Sequence, residues 1–202
     1  TSSNFMLDAY STTTFTVSSI TTLSLNVSVS GSVSAGSRFQ LYKLVAEKVA
    51  DIIVPSNTTS VDITGLDIGK GNEYYLVSDV VSGANSDYYL YVNDNITATN
   101  YYVQRLTANS STVSGARANN PSMVDASSGN KTLIMSNLKL TNSGYVVAQS
   151  NSAENYGGGA IILNKYYSTS TFTASAMTKF TIIASATNGI ATDSRFTLYK
   201  MK

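Results

Sequence analysis

The chain carries 12 acidic and 13 basic residues but no histidine and no cysteine among its 202 positions. Without cysteine there is no disulfide, iron–sulfur cluster, thiolate zinc site or thiol nucleophile. Without histidine the usual neutral-pH base and the commonest metal ligand are gone. Asp79, Asp87 and Asp94 are hard oxygen donors suited to Ca²⁺, yet their spacing fits no compact calcium loop. A glycosidase needs two carboxyl groups about 5 to 9.5 Å apart. Asp125 and Glu154 illustrate such a pair, but nothing in their spacing singles them out. No phosphate-binding glycine loop, metalloprotease motif or nucleophile elbow is present. Gly157-Gly-Gly159 reads as a flexible loop or bulge, or as a point where backbone closely approaches a ligand or neighbouring chain. The residue types therefore point away from catalysis, metals and cofactors.

Binding chemistry rests instead on 14 tyrosines. The doublets Tyr74-Tyr75, Tyr88-Tyr89, Tyr101-Tyr102 and Tyr166-Tyr167 place one ring on each face of a strand, because side chains alternate with a period of two. If one ring enters the core, its neighbour faces solvent or a partner. Tyrosine offers broad amphipathic contact at low entropic cost, which suits subunit interfaces and stacking on sugars. Tyr74, Tyr88, Tyr101, Tyr102 and Tyr166 are the candidate contact residues, and ordinary cross-strand packing is the competing reading. Arg38 and Arg195 each precede Phe-x-Leu-Tyr-Lys and read as outward arms available to an intersubunit ion pair.

The elements positioning these groups are strands. Leu23, Leu25, Val27 and Val29 alternate with Ser, Asn and Ser, the period of a half-buried strand. Short runs rich in Val, Ile, Tyr and Thr lie between turn signals at Gly65–Gly69, Ser82–Asn85, Asn93–Asn95, Ser128–Asn130, Asn142–Gly144 and Asn188-Gly189. Pro55 and Pro121 fall in loops. Leu41–Val49 is the one helical candidate, weakened by its β-branched and Tyr residues. The expected fold is all-β, an antiparallel jelly-roll-like β-sandwich. Ser, Thr and Asn together make 73 of the 202 residues, and this polar surplus is expected on outer faces and in turns.

Net charge and hydropathy narrow the partners. A formal charge of +1 argues against a general nucleic-acid or anionic-membrane binder. No apolar run approaches the roughly 18–20 residues that span a bilayer, so membrane insertion is not expected. The start, Thr1-Ser-Ser-Asn-Phe-Met6, shows no signal-peptide pattern and no initiator Met, as expected of a processed or trimmed product. Asn-x-Ser/Thr sequons at Asn26, Asn57, Asn95, Asn109 and Asn130 are expected by chance in so Asn- and Thr-rich a chain.

An internal repeat organises the chain. Tyr10-Ser-Thr-Thr-Thr-Phe-Thr16 returns as Tyr167-Ser-Thr-Ser-Thr-Phe-Thr173, and Ser37-Arg-Phe-Gln-Leu-Tyr-Lys43 as Ser194-Arg-Phe-Thr-Leu-Tyr-Lys200. Both pairs sit at an offset of 157, and 15 of 35 positions are identical between 10–44 and 167–201. Leu23, Leu25, Val27 and Val29 correspond to Phe180, Ile182, Ala184 and Ala186. The terminal strands are therefore duplicated. Residues 45–202 read as a complete β-sandwich unit, and residues 1–44 as a partial unit or strand pair that packs on it or on a neighbouring subunit.

Tyr91-Val-Asn-Asp-Asn-Ile-Thr-Ala-Thr-Asn-Tyr-Tyr-Val-Gln-Arg-Leu106, followed by Ser111-Thr-Val-Ser-Gly-Ala-Arg117, resembles a strand–turn–strand pattern of tailed-phage virion proteins. Gly189-Ile-Ala-Thr-Asp-Ser-Arg-Phe-Thr-Leu-Tyr-Lys200 is similar to that group's closing strand, Gly-Ser-x-Phe-x-Leu-Tyr. The resemblance covers roughly residues 59–202 and departs at Asp193, where the first copy has the usual glycine as Gly36. It implies a non-enzymatic structural component on the virion surface: a capsid decoration, head-fibre, spike or tail-associated module. It further implies a homo-oligomer, three-fold or higher, in contact with other virion proteins. A module that binds carbohydrate or a host receptor, with a host surface glycan as partner, is the alternative. An exposed tyrosine platform beside polar loops would favour that alternative, and tyrosines buried between subunits the structural reading.

Overall fold

Runs of β-branched and aromatic residues bounded by Gly, Asn and Asp form strands along the chain. A computed structural model describes residues 46–109, 112–126, 131–156 and 160–201. Expectations for residues 1–44, Arg38 included, and for the turns at 128–130 and 157–159 lie outside the described residues. The described strands are β1 (Ala46–Ile53), β2 (Ser60–Ile63), β3 (Glu73–Val81), β4 (Ser86–Val92), β5 (Tyr101–Asn109), β6 (Thr112–Ala118), β7 (Ser122–Ala126), β8 (Lys131–Leu140), β9 (Tyr145–Tyr156), β10 (Ala160–Thr173), β11 (Phe180–Ala184) and β12 (Arg195–Met201). One sheet has the order β1-β12-β3-β8-β9-β10-β5-β6 and the other β2-β11-β4-β7. Every pairing is antiparallel.

The period of two builds the core. Tyr74, Leu76 and Val80 of β3 and Ile134, Leu138 and Leu140 of β8 are buried on the inner face of the larger sheet. They belong to one apolar cluster with Val61 and Ile63 of β2, Leu90 and Val92 of β4, and Phe180 and Ile182 of β11. Two sheets sharing one core make an antiparallel β-sandwich. Its eight-over-four division is wider on one side than the paired four-stranded sheets of a jelly roll.

The second repeat copy spans both layers. It begins in β10, supplies β11 to the centre of the smaller sheet, and ends as β12 between β1 and β3 in the larger. Phe180, Ile182 and Ala184 are buried as their alternation predicts, whereas Ala186 lies beyond the end of β11 and is half-buried. The intervening Thr181 is buried as well.

Turn chemistry explains several connections. Asn93 and Asp94 have φ of 53° and 59°, and the Asn95 N–H donates to the Val92 carbonyl at 3.0 Å. This is a two-residue turn needing two left-handed residues, which Asn and Asp tolerate best after glycine. Asp193 also sits at φ 65°, so the position aligned with Gly36 demands the conformation that glycine adopts freely. At Gly144, with φ 87°, a Cβ would stand 2.9 Å from the Ala174 carbonyl oxygen.

Two expectations are corrected. Ala46–Val49 is strand, not helix, because β1 pairs along its length with β12; tertiary pairing overrides local propensity. The small polar residues are not confined to the outside. Ser78, Thr132, Ser136 and Ser194 are fully buried, as are Ser150 and Ser152 nearly so. Ser136 and Ser150 satisfy one another across β8 and β9 at 2.7 Å. Short hydroxyl side chains fit between close layers where a larger residue would not, whereas Ser78, Thr132 and Ser152 find no hydrogen-bond partner among the described residues.

Candidate binding groove

The four tyrosine doublets divide as alternation requires. Tyr74, Tyr88, Tyr101 and Tyr166 enter the core, at 4%, 0%, 2% and 1% exposure. Tyr102 and Tyr167 are 54% and 44% exposed, while Tyr75 and Tyr89 are half-buried. Of the tyrosines expected to make contacts, Tyr102 alone is outward. For the other three doublets the outward ring is the member left unnamed.

Buried phenols need partners, and the structure shows how two are satisfied. The Tyr88 hydroxyl donates to the Gly189 carbonyl at 2.8 Å and lies 2.8 Å from Ser82 Oγ. The Tyr101 hydroxyl accepts from the Val92 N–H at 3.1 Å and donates to the Asn95 carbonyl at 3.0 Å. Its ring meets Tyr91 and Phe172 edge-on, with centroids 5.6 and 5.5 Å away. Burial pushes the Tyr101 phenol up to about 12, against the opposing influence of the Val92 hydrogen bond. Tyr101 thus pins the β4–β5 turn and sets the parity of β5, which turns Tyr102 outward.

Tyr102 and Tyr167 share the outer face of the larger sheet. Tyr102 pairs with Thr169, and Tyr167 with Gln104, in the β5–β10 register. The rings are therefore diagonal neighbours, within mutual reach on an antiparallel face. Val147 of β9 lies opposite Thr169, and Arg117 of β6 lies opposite Gln104. These side chains line a groove of about 580 Å³ together with Asn119, a volume in the range of small-molecule sites. Lys165 Nζ stands 5.6 Å from the Tyr167 ring centroid, a cation–π distance. Two phenol rings, two carboxamides and a guanidinium can stack on the C–H face of a sugar and hydrogen-bond its hydroxyls. Among the described residues no Asp or Glu lines the groove.

Arg195 is engaged within the unit. Its Nε and Nη2 donate to Asp51 Oδ1 and Oδ2 at 2.8 and 2.7 Å, and Lys48 Nζ donates to Oδ2 at 2.9 Å. This two-pronged pair ties β1 to β12, because strand pairing brings Asp51 beside Arg195. The hydrogen bonds from Arg195 and Lys48 hold the Asp51 carboxyl well below the usual carboxylate range.

The aspartates considered as metal ligands are dispersed. Asp79 is on β3, Asp87 accepts from the Tyr89 hydroxyl at 3.1 Å, and Asp94 pairs with Lys179 at 2.6 Å. Among the described residues no three acidic groups converge to hold an ion. The side chains of Asp125 and Glu154 lie outside those described.

Sequence reasoning missed Tyr167, Gln104, Arg117, Asn119 and Val147 as one cluster. Doublet parity could have found Tyr167, but the others are joined only through pairing of β5, β6, β9 and β10. Comparison with protein-family models, curated proteins and solved structures finds no match to this chain, so its resemblance to tailed-phage virion proteins rests on the quoted sequence motifs alone.

Proposed function

We propose that this chain is a non-enzymatic glycan-binding β-sandwich module, with Tyr102 and Tyr167 as its stacking platform. The observation that carries this reading is the pairing of the two exposed doublet rings in one groove beside Gln104, Asn119 and Arg117. The motif resemblance supplies the setting, display on the surface of a tailed-phage virion. Screening the full chain against immobilised oligosaccharides, followed by calorimetry, tests the assignment. Truncating a central aromatic anchor at a binding site typically weakens binding by about 2 kcal/mol or more, near thirtyfold. Tyr102→Ala and Tyr167→Ala should each show such a loss with unchanged melting temperature. Absence of any oligosaccharide ligand, or variants that bind like the parent, would overturn the reading.

A second reading is that the module is a virion structural component that assembles through this same sheet. Leu106 and Val113 are exposed on adjacent strands β5 and β6, and Tyr145 and Val147 on β9, and contiguous apolar exposure marks protein contacts. Native mass measurement separates the two: a stable trimer dissociated by Leu106→Glu, with no glycan ligand, would favour assembly.

A further inference from the structure

The groove's charge is one-sided. Arg117 is the one charged side chain among its lining residues. It is exposed and has no ion-pair partner among the described residues. Its other flank borders a smaller cavity of about 210 Å³, shared with Arg105, Asp87 and Asn120. Asp87 there already accepts the Tyr89 hydroxyl. Lys165 stands beside Tyr167, its Nζ 5.6 Å from the ring centroid, and is not among the groove's lining residues.

Register fixes the order of these groups. Arg117 faces Gln104, and Gln104 faces Tyr167, so guanidinium, carboxamide and phenol form one row across β6, β5 and β10. Neighbouring strands lie about 4.8 Å apart, so the row spans about 10 Å. A pyranose stacked on Tyr167 would then hold its ring substituents over Gln104, within reach of a long arginine side chain. A guanidinium matches a carboxylate with two parallel hydrogen bonds, whereas an ammonium offers only a point charge. One arginine balances one negative charge, which fits a sugar carboxylate better than a polysulfated or phosphorylated chain.

We propose that this groove selects acidic glycans, with Arg117 as the specificity-determining residue that takes the carboxylate of a uronic or sialic acid. The proposal rests on the glycan-binding reading. Its test uses oligogalacturonide, hyaluronan oligosaccharide and oligosialic acid, each compared with its own methyl ester, which keeps the ring and removes the charge. Calorimetry on the full chain should give at least one acid that binds about tenfold or more tighter than its ester, as expected for a charged hydrogen bond. Arg117→Gln should collapse the ratio of acid to ester affinity to about one, whatever it does to ester binding, and Arg117→Lys should restore only part of that ratio. Added salt should weaken the acid and spare the ester. Equal binding of acid and ester would overturn the acidic preference while leaving glycan binding intact. An acid preference that persists in Arg117→Gln would overturn the role of Arg117. A dextran sulfate oligosaccharide, which carries sulfate but no carboxylate, binding in place of every carboxylate sugar would overturn the choice of anion. No binding by any member would overturn both proposals.

Discussion

Replacing Tyr101 with Phe removes one oxygen atom and leaves the ring packing of Tyr91 and Phe172 in place. The Val92 N–H then loses the acceptor at 3.1 Å, and the Asn95 carbonyl loses the donor at 3.0 Å. Leaving buried polar groups unpaired costs about 1–3 kcal/mol. At roughly 2–4 °C per kcal/mol for a unit of this size, the melting temperature should fall by about 4–8 °C at a central value of 2 kcal/mol. Urea unfolding should show a lower midpoint with an unchanged slope, since the same surface is exposed. An alkaline signature accompanies it. The folded Tyr101 pKa is raised to about 12, so its contribution is present in full below the unfolded value of about 10. That contribution is lost as pH rises from there through about 12. Tyr101→Phe should therefore show a smaller stability loss across that window than the parent. A variant whose unfolding free energy stays within about 0.5 kcal/mol of the parent's would refute the claim that this hydroxyl seats the turn.

Low pH should loosen β1. The Asp51 carboxyl is depressed in the folded state, so its contribution is present above the unfolded pKa of about 3.9 and is lost as pH falls through the lower folded value. Asp51→Asn should lower stability at neutral pH and flatten the acid limb of the melting-temperature profile; an acid limb parallel to the parent's would refute the linkage. Ser78→Ala should raise stability by about 1 kcal/mol, because its Oγ is buried without a partner among the described residues and burying an unpaired hydroxyl is unfavourable. Calorimetry that shows a lower melting temperature for this variant would mean that the hydroxyl is satisfied in solution.

Fold class was legible because period-two patterning and turn residues carry local information. Phe180, Ile182 and Ala184 show it directly: their alternation announced a buried face, and β11 presents that face to the core. The Gly36–Asp193 mismatch also pointed to something physical, a left-handed turn position. What stayed hidden depends on pairing between distant segments. Leu41–Val49 carried a mixed local signal, and only the β12 partner makes Ala46–Val49 a strand. Ser136 and Ser150 looked like surface residues until β8 and β9 brought their hydroxyls together inside. Arg195 looked like a free arm because its partner, Asp51, is 144 residues away. The groove failed to appear for the same reason. Tyr102, Arg117, Val147 and Tyr167 come from four strands, and which tyrosine of a doublet faces outward depends on which sheet face is covered.

The exposure of β6 has a consequence for how the unit breathes. Thr112–Arg117 are exposed at every position, odd and even alike, so this strand is open to water on both faces, and among the described strands it pairs with β5 alone. Strands with few buried contacts open locally at low free energy, while those inside a core open only with the whole unit. Amide hydrogen exchange should therefore run as a gradient across the larger sheet, slow at β12 and β3 and fast at β6. The groove straddles that gradient, with Tyr167 on β10 and Arg117 on the fraying margin. An occupant held at both points would act as a clasp, slowing exchange along β6 without touching most of its backbone.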